Sequence, residues 1–257
     1  MIKSFDQLVC LSGLPRTGST LLSALLSQNP AIHAEGNSGL CQIMWDTQHS
    51  CNHSAKEELT ANSRLHSVND IVSQLPHSYY KGNSPQERIV VDKCRTWTLP
   101  NNLKMVDEFV GKDTKVVVLV RPIIEIVRSF VKVLKVNGRY TKEEERELFA
   151  PASDPLMRPL VALFEAQKDT SGRFLFVSYK SLVEDTAQTL KGIYNFCGWE
   201  QFIHNTNNVK PKYPENDSAY YLKGLHTVRK KVEYCDNHTE LMDETIQRCA
   251  ELDSALN

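Results

Sequence analysis

The chain has 257 residues, 41% hydrophobic and 24% charged, with 30 Lys and Arg against 31 Asp and Glu for a formal net charge of −1. That length suits one α/β domain with insertions around a single sizeable core. The near-neutral balance excludes a global field that would recruit nucleic acid or an anionic membrane, so any anion site has to be local.

No apolar run approaches the roughly 20 residues of a membrane span. The opening MIKSFDQLVCLSG lacks a basic segment followed by an apolar stretch and a cleavage site, and cytoplasmic residence is the expectation. The seven cysteines are scattered without a CxxC pair, which favours free thiols over a disulfide framework.

Along the chain, the first β-branched or apolar run is LVCLS at 8–12, followed by a helical pattern at 18–28. Residues 41–87 are more polar and read as an insertion or lid. Within them Cys41, His49, Cys51 and His53 fit no common zinc-ligand spacing, and the segment reads as a polar, loop-like surface. RIVVD at 88–92 is a second strand, with a helix over 100–110 begun by Pro100. KVVVLV at 115–120 is a third, with a helix over 122–135. A second insertion is expected at 136–154 and a helix over 155–168. RFLFVSY at 173–179 is the fourth run, before a helix at 185–197. Near-continuous apolar strands alternating with helices predict a doubly wound α/β fold, a parallel sheet covered on both faces, in one domain spanning 1–257. Ligands of such sheets bind beyond the carboxyl ends of the strands.

Between the first strand and the first helix lies GLPRTGST. It has two glycines, Gly13 and Gly18, five residues apart and the hydroxyls of Thr17, Ser19 and Thr20. A nucleotide-triphosphate loop would carry lysine after the second glycine and Ser or Thr after that for magnesium. Here the cation is Arg16, behind Pro15. Backbone N–H groups at a helix start, an arginine and hydroxyls make an anion site that does not call for a metal. The third strand closes on Arg121, where a magnesium-serving strand would close on Asp, and Ser129 follows eight residues later. An arginine beside the loop can take a second phosphate bidentately.

PRTGSTLL after an apolar strand, then RPIIEIVRSF, then FVSYKSLVEDTAQTLKGIYNFCGW, together resemble the sulfotransferase superfamily over roughly residues 8–235. The resemblance implies a P-loop-like α/β fold and the donor 3′-phosphoadenosine-5′-phosphosulfate (PAPS). It assigns the 5′-phosphosulfate to the loop (Pro15, Arg16, Thr17, Gly18, Ser19, Thr20) and the 3′-phosphate to Arg121 and Ser129. Tyr179, opening a segment like the family's Y-E-x-L, falls on the adenine side. Lys93 resembles the lysine that steadies the transferring sulfonate. Arg229 and Lys230, with Lys231 where the family has glycine, resemble a basic element that closes on the 3′-phosphate. Leu21 stands where cytosolic members have an adenine-stacking tryptophan.

The acceptor hydroxyl has to lose a proton as it attacks sulfur. The histidine of the cytosolic K-x-H motif is replaced by Arg95, whereas Glu35 is similar in place to the glutamate of the protein-sulfating branch, two residues closer to the preceding proline. Glu35, at the end of a presumed strand facing the loop, is the expected base, with Asp92 and His33 as alternatives. The expected reaction is metal-free sulfonate transfer to a hydroxyl of a small molecule, carbohydrate or peptide, leaving adenosine 3′,5′-bisphosphate (PAP). A P-loop small-molecule kinase and a catalytically silent nucleotide-binding regulator are the other readings.

Overall fold

The structure, a computed structural model, describes residues 3–151 and 155–256. Five strands form one parallel sheet: β1 (Gln7–Gly13), β2 (Ile32–Asn37), β3 (Ile89–Lys93), β4 (Val116–Val120) and β5 (Phe174–Ser178), in spatial order β2-β3-β1-β4-β5. The helices are α1 (Ser19–Leu26), α2 (Leu40–Asn52), α3 (Lys56–Ala61), α4 (Ser67–Tyr79), α5 (Pro100–Phe109), α6 (Ile123–Val136), α7 (Lys142–Glu147), α8 (Met157–Gln167), α9 (Tyr179–Glu184), α10 (Thr186–Cys197) and α11 (Asp243–Leu256).

Period-two alternation sorts the apolar strand residues into two cores. Leu8, Cys10, Val116 and Val118 face α2, α4, α5, α6 and α8, whereas Val9, Leu11, Val117 and Leu119 face α1 and α10. Both faces are covered, which is why the strand runs read as continuously apolar. β1 and β4 are neighbours, and their following helices lie on opposite faces, so the sheet switches winding direction between their carboxyl ends.

The four apolar runs and five expected helices occur at their sequence positions. Residues 41–87, expected as an insertion or lid, differ from the reading around Cys41, His49, Cys51 and His53, where the chain is helical rather than loop-like. They contain α2, α3 and α4, and Cys41, Met44, Cys51, Val68 and Val72 are buried in the first core. His49 and His53 stack on each other with ring centroids 4.2 Å apart. Among the described residues no group of three or more His, Cys, Asp or Glu is placed to hold a metal ion, and the cysteines are free thiols. The second expected insertion holds α7, whose first turn is capped by Thr141 Oγ1 accepting from the Glu144 N–H at 3.0 Å; its residues 152–154 lie outside the described residues. No helix among the described residues is long and apolar enough to cross a membrane.

After α10 the chain is almost without regular structure until α11, apart from a 3-10 turn at Asp217–Tyr220. This stretch, from 204 to 237, is a strap. It folds back on itself through Val209 N–H to Lys230 O at 2.7 Å and Val232 N–H to Thr206 O at 2.9 Å.

Candidate functional site

At the carboxyl end of β1 the chain runs so close to β4 that a Cβ on Gly13 would lie 2.2 Å from the Leu119 carbonyl oxygen, and Gly13 has φ +124. The loop then turns through Arg16 in the left-handed region (φ 61) and Gly18 (φ 90). Thr17 is fully buried and donates to the Leu14 carbonyl at 2.7 Å. Its hydroxyl is therefore spent inside the loop, whereas Ser19 and Thr20 line the adjoining cleft. No side chain caps α1, so the N–H groups of its first turn are open to an anion.

The two distant arginine-bearing motifs meet at this loop. Arg16 donates through Nε to Ser129 Oγ at 3.0 Å and through its terminal nitrogen to the Leu225 carbonyl of the strap. Arg121 donates to the Arg16 carbonyl at 2.8 Å and to Glu125 Oε2 at 2.8 Å, and its guanidinium lies 4.0 Å over the Tyr179 ring. Tyr179 in turn packs against Gly18, where a Cβ would come within 2.8 Å of the ring. Burial, and then the charge of Arg121, lower the pKa of Arg16.

Lys93, buried at the end of β3, lies 3.0 Å from Glu215 Oε2 and 3.5 Å from Thr20 Oγ1. Its burial lowers the ammonium pKa and Glu215 opposes the shift.

These groups surround one cleft of about 750 Å³ that holds Pro15, Arg16, Gly18, Ser19, Thr20, Lys93, Arg121, Ser129, Tyr179 and Arg229 in its wall. Nine of its described lining residues are Arg or Lys and three are Asp or Glu. A chain of net charge −1 thus concentrates positive potential where the strands end.

Other expected residues lie elsewhere. Lys230 is exposed and outside the cleft wall, with its carbonyl bonded to Val209, and Lys231 lines the cleft instead. Arg229, within the cleft wall, bonds the Cys235 sulfur there. Glu35 does not line the main cleft. Its Oε2 is 3.2 Å from His33 Nε2, and it opens on a smaller hollow shared with Thr20, Gly36 and Tyr213. His33 is buried between Glu35 and Glu87. Asp92 is fully enclosed, accepting from Tyr80 Oη and Trp97 Nε1 at 2.6 Å each, and burial raises its pKa. That carboxylate orients two aromatic rings and is not among the residues lining the cleft.

Residues without a sequence signal complete the site. Glu215, Asp217, Leu225 and His226 come from the aperiodic strap, and Asn37, at the end of β2, places a buried Oδ1 with no partner among the described residues.

A family model described as the sulfotransferase family matches residues 9–203. The chain belongs to the sulfotransferase family. This sulfotransferase is 19% identical, over 229 residues, to a chain from Caenorhabditis briggsae named as a candidate protein-tyrosine sulfotransferase, covering 86% of this chain and 76% of that one. In fold it is similar to the sulfotransferase domain of the Synechococcus PCC 7002 olefin synthase, with a TM-score of 0.55, 17% identity, and 96% and 95% of the two chains covered. It is similar also to the sulfotransferase domain of the curacin biosynthetic pathway, with a TM-score of 0.58, 18% identity, and 97% and 98% covered. The parallel sheet flanked by helices is the fold that these domains share with this sulfotransferase.

Proposed function

We propose that this sulfotransferase takes its sulfonate from PAPS and passes it, in line and without a metal, to a hydroxyl of a small-molecule, carbohydrate or peptide acceptor in the cytoplasm. One observation carries the donor assignment. Arg16 of the first loop and Ser129 of α6 are hydrogen-bonded at 3.0 Å while Arg121 holds the Arg16 carbonyl at 2.8 Å, so two anion-binding motifs face one cleft. A nucleotide with one anionic group at its 5′ end and another at its 3′ position matches two such seats.

In this reading the open N–H groups of α1, with Ser19 and Thr20, hold the 5′-phosphosulfate, and Arg121 with Ser129 takes the 3′-phosphate. Tyr179, stacked under Arg121, flanks the adenine. Arg16 and Lys93 neutralise the charge that moves onto the leaving phosphate, and Arg229 closes on the 3′ side. Glu35 accepts the acceptor's proton by turning from His33 towards Thr20, which both hollows share. The unpartnered Asn37 Oδ1 offers the acceptor a hydrogen-bond site.

Calorimetry in chelator compares PAP with ATP on the wild type and Arg121→Ala. Binding of PAP, unmatched by ATP and weakened about 100-fold in the variant, is expected, since the fork of Arg121 also holds the loop carbonyl. A magnesium-dependent preference for ATP would replace this reading with the kinase.

A further inference from the structure

The Lys93 side of the loop already holds an anion of the protein's own. Glu215 comes from the strap, beyond the stretch 9–203 that matches the family. Its Oε2 lies 3.0 Å from Lys93 Nζ, and its Oε1 accepts from the Asn37 N–H at 3.1 Å. The side chain is 10% exposed and crosses Gly36 so closely that a Cβ there would stand 2.0 Å from Glu215 Cγ. Behind it, His226 Nε2 is 3.5 Å from Oε1, and Asp217 Oδ1 fixes that ring at 2.7 Å from Nδ1. Glu215 is thus seated by three elements, with glycine cleared beneath it.

Lys93 Nζ is also 3.5 Å from Thr20 Oγ1, on the rim of the loop's anion seat. A sulfonate reaching Lys93 from that seat would stand beside the Glu215 carboxylate in a poorly solvated corner, where like charges repel strongly. A nucleotide ending at the 5′-phosphate leaves that corner free.

We propose that Glu215 is a specificity-determining residue of the donor site. It is an internal counter-anion that keeps Lys93 when PAP fills the loop and yields Lys93 to the sulfonate when PAPS does. The proposal rests on the donor assignment above. The same strap carries Leu225, which Arg16 bonds, and Tyr220 and Leu222 of the cleft wall.

Titrating PAP and PAPS into the wild type and Glu215→Gln tests this. The variant, of the same shape without the charge, is expected to gain about tenfold in affinity for PAPS relative to PAP, the equivalent of one charge-assisted hydrogen bond. In a Lys93→Gln background the same change is expected to have no effect on the ratio. Amide exchange in the wild type gives a second readout independent of any variant: the Asn37 N–H stays protected with PAP and exchanges faster with PAPS. A ratio that does not move, or moves towards PAP, or an Asn37 amide equally protected with both, would overturn the role of Glu215. Failure of the wild type to bind either nucleotide would overturn the donor assignment instead.

Discussion

Arg16 and Ser129 are joined by a 3.0 Å hydrogen bond across 113 residues of sequence, so the cation of the first loop is held in place by the helix that follows β4. The loop residue sits at φ 61, a backbone conformation that L side chains adopt at a cost, and the bond helps retain it there. Ser129→Ala is expected to weaken PAP binding about tenfold, with the fold intact, because a neutral partner of a charged donor contributes on the order of 1.5 kcal/mol. Unchanged affinity in calorimetry would show that the hydroxyl only caps the guanidinium.

Gly13 is where the backbone admits no side chain. With a Cβ 2.2 Å from the Leu119 oxygen, Gly13→Ala has to push β1 from β4, and a loss of about 3 kcal/mol or more is expected. Gly138→Ala, at φ +65 with nothing within 4 Å, is expected to cost only about 1 kcal/mol. Equal urea midpoints for the two variants would contradict the close approach.

Acid is expected to destabilise the protein through partly buried histidines. Asn29 Nδ2 donates to Tyr194 Oη at 3.2 Å, His204 Nδ1–H donates to the Leu25 carbonyl at 2.9 Å, and Nε2 lies 3.0 Å from Tyr194 Oη, an arrangement that the neutral ring satisfies by accepting the hydroxyl proton. Burial lowers its pKa below 6.5, with the Leu25 carbonyl opposing, and burial moves His77 and His226 the same way. The unfolded chain then takes up protons near pH 6.5 before the folded one does. Stability is full above that pH and declines below it, by at most about 1.4 kcal/mol per pH unit for each histidine. Urea midpoints from pH 8 to 5 read the decline, and His204→Gln makes it shallower; an identical slope in the variant would remove His204 from the account.

Glu35→Gln separates the base from the binding site. Turnover with an acceptor is expected to fall about 100-fold or more while PAP affinity stays the same. Turnover within a few-fold of the wild type would take the proton-accepting role away from Glu35.

The residues that could be read in advance are those whose signal is local. The strands β1, β3 and β4 are short apolar runs buried on both faces, and β5 is an apolar run on the sheet edge opposite β2, with Phe176 exposed. β2, spelled IHAEGN on the sheet edge, gives up that pattern to His33 and Glu35. In α2 and α4 apolar residues such as Ile43, Trp45 and Ile71 stay exposed, and Pro76 stands inside α4, so their buried faces are set by the helices they pack on. Within the site, the glycine loop, Arg121 with Ser129, Lys93 and Tyr179 sit at strand ends or fixed spacings. The enclosure of Asp92 by Tyr80 and Trp97, and the approach of Glu215 to Lys93, depend on partners brought together by tertiary structure. No period in the strap announces them.

The strap also sets an order of assembly. Arg16 meets Leu225 over 209 residues and Lys93 meets Glu215 over 122, whereas every strand of the sheet has been made by Ser178. On a ribosome the α/β layers can therefore form before either cation meets its partner in the strap, and the cleft acquires the Leu225 carbonyl and the Glu215 counter-charge only as the last fifth of the polypeptide emerges. During that interval the growing chain displays an unneutralised anion seat, open to any polyanion in its surroundings.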